Sequence, residues 1–186
     1  MSDFSENREA LLEHLRAHAL RTDGPFTLRS GAVASWYLDA RQTTFDGSGA
    51  LTVAKAVLEV LDQRVEAIGG MTMGADPIAV AGAMLATQRG RPLRSFSIRK
   101  AAKSHGAGGR LVGPVSAGDI VAVLEDTTTT GGALLEAINE AVSSGLQVVQ
   151  AIALVDRSGD LVRDRVTEAG FSYLALATPQ DLGVAE

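Results

Sequence analysis

Residues 120–133 read IVAVLEDTTTTGGA, an apolar run that ends in two acids, four threonines and two glycines. Ile120 to Leu124 has the length and β-branched content of a strand buried on both faces, as strands are in a parallel sheet. Leu134, Leu135, Ile138 and Val142 then recur at helical spacing, so Thr127 to Gly132 is expected to be a loop joining strand to helix. In open α/β sheets such a loop lies where ligands bind. Threonine hydroxyls, small glycines and the free N–H groups of a helix start together make a cradle for a phosphate. The loop has neither the lysine of a P-loop nor the spacing of a dinucleotide fingerprint. Glu125 and Asp126, just before it, are placed to accept hydrogen bonds from vicinal hydroxyls, and a phosphorylated sugar satisfies both halves.

Outward from this stretch, strand and helix patterns alternate. An N-terminal helix capped by Asp3 or Ser5 carries the stripe Leu11, Leu12, Leu15 and Ala19 and ends before Asp23-Gly24-Pro25. Two extended pieces follow, Phe26 to Gly31 and Ala34 to Arg41. Trp36 and Tyr37 lie in the second; adjacent strand residues point to opposite faces, so they are either a packed hairpin or a surface on which a flat ring stacks. A second helix starts at Asp46 to Ser48, with Leu51, Ala54, Leu58 and Leu61 as its buried stripe. Val65 to Ile68 is a short strand, and in GGMTMGADPIA Asp76 is expected to cap a helix with Pro77 at its first position. Gly69 to Ala75 is then a second strand-to-helix loop at the same sheet edge. Further strands are expected over Leu93 to Ile98, Val148 to Val155 and Phe171 to Ala177, with a helix over Leu161 to Ala169. The fold class is α/β: a mostly parallel sheet flanked by helices, in one domain over 1–186, with a small hood from about 1–45.

Composition narrows the function. Hydrophobic residues make up 46% of the 186, with only 4% aromatic, which suits an Ala, Val and Leu rich core rather than disorder. No apolar run is long enough to span a bilayer and the N-terminus has no signal-peptide pattern, so a cytoplasmic protein with no membrane partner is expected. There is no cysteine, and His14, His18 and His105 are too scattered to suggest zinc. The net charge of −5 argues against a nucleic-acid binder. Yet no acid occurs between Pro77 and Gly118, where Arg89, Arg91, Arg94, Arg99, Lys100, Lys103 and Arg110 lie. Such a segment is either a solvated basic face or the place where a polyanion binds. Arg99 to Arg110 has glycines, cations and no apolar periodicity, and is expected to be a mobile loop. Arg157, at the carboxyl end of a strand, is placed either to hold a carboxylate or to pair with Asp156 or Asp160.

Four separated motifs, FTLRSG (26–31), GADP (74–77), RKAAKSHG (99–106) and EDTTTTGG (125–132), resemble those of the type I phosphoribosyltransferases, and in their order those of the orotate phosphoribosyltransferases. The GADP variant looks like that of an actinobacterial branch. The resemblance implies transfer of a phosphoribosyl group from phosphoribosyl diphosphate to orotate with Mg²⁺, the ion being held mainly through the diphosphate and not directly by the protein. It makes Lys103 and Asp126 catalytic. Phosphoribosyl diphosphate would be bound by Arg99, Lys100, Lys103, His105, Glu125, Asp126, Thr127, Thr128, Thr129, Thr130, Gly131, Gly132 and Ala133, and orotate by Arg29, Trp36, Tyr37, Thr129 and Arg157. A homodimer with shared active sites is also implied. Two departures stand out: many members have lysine where Arg29 stands, and lysine where Gly74 stands. A purine or uracil phosphoribosyltransferase, or a non-catalytic regulator keeping the phosphate cradle, are the alternative readings.

Overall fold

A computed structural model of the chain describes residues 2–27, 31, 33–101 and 109–184, the side chains of 2–5 excepted. The chain opens with helix α1 (Ser2–His14), which continues as a π-helical segment, Leu15–Ala19. Leu11, Leu12, Leu15 and Ala19 are all buried, as their spacing requires, but the helix starts before Asp3 and Ser5, so neither caps it. Four two-residue strands then pair as two small antiparallel ladders. β1 (Leu20–Arg21) joins β4 (Tyr37–Leu38), and β2 (Phe26–Thr27) joins β3 (Val33–Ala34). The expected strand over Ala34 to Arg41 is therefore broken: Trp36 lies between β3 and β4, and Arg41 opens a short helix, α2 (Arg41–Thr44).

Helix α3 (Gly47–Val60) is capped by Asp46, whose carboxylate accepts from the Gly49 N–H at 2.9 Å. Its buried face runs through Val53, Ala54, Ala56, Val57 and Leu61; Leu51, expected in the stripe, is exposed. The rest of the chain builds the main sheet from β5 (Ala67–Met71), β6 (Arg94–Ile98), β7 (Leu111–Val112), β8 (Ile120–Thr128), β9 (Gln147–Asp156) and β10 (Ser172–Ala177), in the order β10-β9-β8-β5-β6-β7. All neighbours are parallel except β6 with β7.

Between the strands lie α4 (Ala75–Gln88), α5 (Gly132–Ser143) and α6 (Leu161–Glu168). Burial on both faces follows the pleat. Ile68, Ala122, Leu124, Ile152 and Leu154 pack in one core with residues of α1, α3 and α4, while Ala67, Val121, Val123 and Ala151 pack in the other with those of α5 and α6. No helix of the described residues is long and apolar enough to cross a membrane.

Two expectations at the site end change. Strand β8 does not stop at Leu124 but continues through both acids to Thr128, held by Thr127 and Thr128 pairing with Val155 and Asp156. The crossover turn is only Thr129 to Gly131. Helix α4 begins at Ala75, with Gly74 in the cap position, so Asp76 and Pro77 lie inside the first turn and the loop shrinks to Thr72 to Gly74. The carboxylate of Asp76 reaches back to accept from Thr72 Oγ1 at 2.6 Å, tying that loop to the helix.

Candidate active site

Strands β5 and β8 end side by side, and the two loops that follow them enclose a cavity of about 450 Å³ lined by Arg41, Met71, Thr72, Met73, Gly74, Lys100, Glu125, Asp126 and Ala133. A smaller cavity of about 100 Å³ adjoins it, lined by Glu125 and by Thr127 through Leu134. Glu125 and Ala133 border both. The sequence-expected acids and threonine loop are thus brought together at one sheet edge, with Lys100 beside the acids.

The two acids differ in environment. Glu125 is buried, 7% exposed, and its Oε2 carries no hydrogen bond. Burial and then the charge of Asp126 push its carboxyl up to about 8, with Lys100 pulling the other way. Asp126 is half-buried and accepts from the Thr127 N–H at 2.8 Å. Its carboxylate lies against Gly74, where a Cβ would stand 2.6 Å from Oδ1. Only glycine lets the Thr72 to Gly74 loop approach the acid so closely.

The threonines divide by role. Thr129 and Thr130 are exposed toward solvent, and Gly131, at φ 76°, turns the chain into α5 so that the helix start faces the small cavity. Arg165 of α6 donates to the Thr130 carbonyl at 2.6 Å and props the turn from behind. The Thr128 hydroxyl is engaged elsewhere: it donates to Asp156 at 3.0 Å. Asp156, 4% exposed, also accepts from Tyr173 Oη at 2.8 Å and from the Ser158 N–H at 2.9 Å. Burial raises the Tyr173 phenol, keeping it a donor. This network locks the ends of β8, β9 and β10 together.

Arg157 follows directly. Its N–H donates to the Thr128 carbonyl at 2.9 Å, and its guanidinium stacks over the Trp36 ring at 4.4 Å. Asp160, one of its expected partners, pairs instead with Arg163. Trp36 is buried, whereas Tyr37 is 37% exposed and faces Phe26 with ring centroids 6.0 Å apart. Arg29, Lys103 and His105 lie outside the described residues. Arg99 donates its N–H to the Arg110 carbonyl at 2.9 Å and accepts from Arg110 Nε at 2.6 Å.

The basic segment does not act as one unit. Arg91 donates to the carbonyls of Asp62 and Val65, Arg94 pairs with Asp119 at 2.7 Å, and Arg110 pairs with Glu136 and Glu140 on α5. Those three cations are engaged within the fold, while Lys100 lines the larger cavity. His14 packs on His18 and meets Thr43 and Asp46, and among the described residues no group of three or more metal-binding side chains exists. Sequence reasoning did not join Asp156 to Thr128 and Tyr173, and it placed Arg41 at the end of an extended piece rather than on the cavity wall. Only Arg41 had a local signal, the D-x-R spacing to Asp39.

A threonine-glycine turn at a helix start after one strand, a second loop facing it, and paired acids between them, on a sheet covered by helices on both faces, place the chain among the type I phosphoribosyltransferases. No protein-family model matches the chain. The orotate phosphoribosyltransferase of Streptomyces avermitilis is 40% identical over 178 residues, spanning 95% of this chain and 97% of that protein. Among solved structures, the Mycobacterium tuberculosis H37Rv orotate phosphoribosyltransferase in complex with Fe(III) dicitrate superposes with a TM-score of 0.83 at 32% identity, covering 96% of this chain and 99% of that one. The same enzyme in complex with 5-phospho-alpha-D-ribosyl 1-diphosphate gives a TM-score of 0.77 at 28% identity, over 96% of this chain and 99% of that one. The chain belongs to the orotate phosphoribosyltransferase family, and it is a pentosyltransferase of pyrimidine biosynthesis.

Proposed function

We propose that the two adjoining cavities hold the two ends of one phosphoribosyl diphosphate, and that the phosphoribosyl group passes to orotate to give orotidine 5'-phosphate and diphosphate. The carrying observation is that Glu125 and Ala133 border both cavities. A ligand with its 5-phosphate at the helix start necessarily runs past the acids into the larger, cation-bearing space. Asp126 and Glu125 accept from the ribose hydroxyls. Arg157, held flat on Trp36, offers a planar fork to the orotate carboxylate, with Tyr37, Thr129 and Arg29 bordering the ring.

Displacement at the anomeric carbon passes through a state with positive charge on the ribose ring and growing charge on the diphosphate. The acids sit by the first charge and Lys100 by the second, with Lys103, Arg99 and His105 assigned to the diphosphate by their motif. No covalent nucleophile is needed. The orphaned, buried Oε2 of Glu125 and the adjoining Asp126 suit a divalent ion that is held mainly by the diphosphate. When bound, Mg²⁺ neutralises the leaving group.

We also assign the chain to the cytoplasm and to a homodimer. Val80 and Met84, one turn apart on α4, and Val112 of β7, which lines one surface depression with Val80, are large apolar side chains left exposed, and a second copy is the occupant that suits them.

The test follows orotate by its ultraviolet absorbance with phosphoribosyl diphosphate and Mg²⁺ present, against uracil and hypoxanthine, with light scattering on the same sample. Orotate loss that requires both other components, from a particle of twice the chain mass, is expected. Turnover of another base would remove Arg157 and Trp36 from their assigned roles; a monomer with full activity would remove the shared site.

A further inference from the structure

The larger cavity contains a cation that none of the four motifs supplies. Arg41 is the first residue of α2, and its side chain is 47% exposed on the cavity wall with Lys100, Thr72, Gly74 and both acids. Its orientation is fixed from one side. The N–H and Nε of Arg41 both donate to Asp39 Oδ1, at 3.2 and 2.7 Å, while Gln42 Nε2 donates to Oδ2 at 3.3 Å. Asp39 is itself anchored, its N–H donating to the Ala19 carbonyl at 3.0 Å. Terminal nitrogens Nη1 and Nη2 make no hydrogen bond among the described residues, so the guanidinium is held by one edge and presents the other.

Electrostatics agree with the geometry. The hydrogen bond from Arg41 holds Asp39 below its usual carboxylate range, and the same bond raises Arg41, with the charge of Asp126 adding to it. Arg41 therefore feels the site acid across the cavity. An arginine clamped at Nε with a free outer edge suits bidentate binding of a phosphate oxygen pair. If the Arg41–Asp39 pair were merely an exposed surface contact, its loss would leave binding alone.

We propose that Arg41 is a further binding residue for the diphosphate end of the phosphoribosyl donor, acting beside Lys100, with Asp39 as its positioning residue. The assignment rests on reading the larger cavity as the donor's diphosphate site. It gives that site a cation from the N-terminal hood, so the hood takes part in donor binding as well as in base binding.

Calorimetric titration of inorganic diphosphate and of ribose 5-phosphate, each with Mg²⁺, into the full chain and into Arg41→Ala, Arg41→Gln and Arg41→Lys tests it. Loss of one charge-assisted bidentate contact is expected to weaken diphosphate binding by about 10–100-fold in the alanine and glutamine variants, while ribose 5-phosphate changes less than about twofold. Arg41→Lys should fall between, since an ammonium keeps the charge without the fork. Asp39→Asn should raise KM for the donor with kcat largely kept. Arg41→Gln retains the stem and decides the matter if Arg41→Ala fails to fold. Diphosphate binding by folded Arg41→Gln as tight as that of the unaltered chain would overturn the role of Arg41. Failure of the unaltered chain to bind diphosphate at all would instead overturn the reading of the cavity.

Discussion

Glu125→Gln is expected to make the protein more stable and much less active. The folded carboxyl is held at about 8 against an ordinary 4.5, by burial first and by Asp126 second. A carboxyl raised on folding contributes fully below its unfolded value and loses that contribution as pH climbs from about 4.5 through about 8, because the unfolded chain ionises it freely. At pH 8 the unaltered chain therefore forgoes on the order of 3 kcal/mol that an uncharged amide of the same shape does not. The melting temperature of Glu125→Gln should exceed that of the unaltered chain by roughly 6–12 °C at pH 8, with the gap closing toward pH 4.5. Turnover should drop by about 100-fold, since the amide cannot become the anion that the ribose and its charge call for. Thermal melts across pH decide it: an equal or lower melting temperature at pH 8 would mean that the carboxyl is not held protonated.

Arg157→Ala should separate the two substrates. Its guanidinium lies on Trp36 at 4.4 Å and its backbone is fixed to Thr128, so truncation removes the cation without moving the strand. Losing a fork that pairs with a carboxylate in a partly buried site typically reduces kcat/KM by about 10²–10³-fold. Binding of phosphoribosyl diphosphate should change less than about threefold, because the Thr129 to Gly131 turn and the acids proposed to hold it are untouched. Arg157→Lys should recover only part of the loss, as an ammonium does not stack flat on an indole. An unchanged KM for orotate in either variant would move the carboxylate contact to another residue.

Parts of this site were legible in the sequence because they are local. The apolar β-branched run up to Leu124, the Thr-Gly turn and the helical spacing of Leu134 and Ile138 each follow from short-range rules, and together they put the cradle at a sheet edge. What the rules misjudged was where polar residues stop being loop. Glu125 to Thr128 stay in the strand because β9 offers them partners and because a buried glutamate, which composition treats as improbable, is tolerated when protonated. Helix periodicity puts Leu51 on the inner face of α3 but does not say which neighbour covers it, and none does. Asp156, Thr128 and Tyr173 are 28 and 17 residues apart in the pairs that bond, and no local pattern joins them. Arg41 was obscured by treating Ala34 to Arg41 as one extended piece, when the chain in fact turns into a helix there.

The paired hydrogen bonds between Arg99 and Arg110, with Arg110 also clasped to Glu136 and Glu140 of α5, carry a consequence for how this chain can vary. They close a ring in the backbone beside β7, fastened to α5 through Arg110. Closing a longer ring costs little, about 0.6 kcal/mol for each doubling of length. The melting temperature is therefore expected to depend on the clasp that shuts the ring, Arg110 with Glu136 and Glu140, more than on how many residues the ring contains.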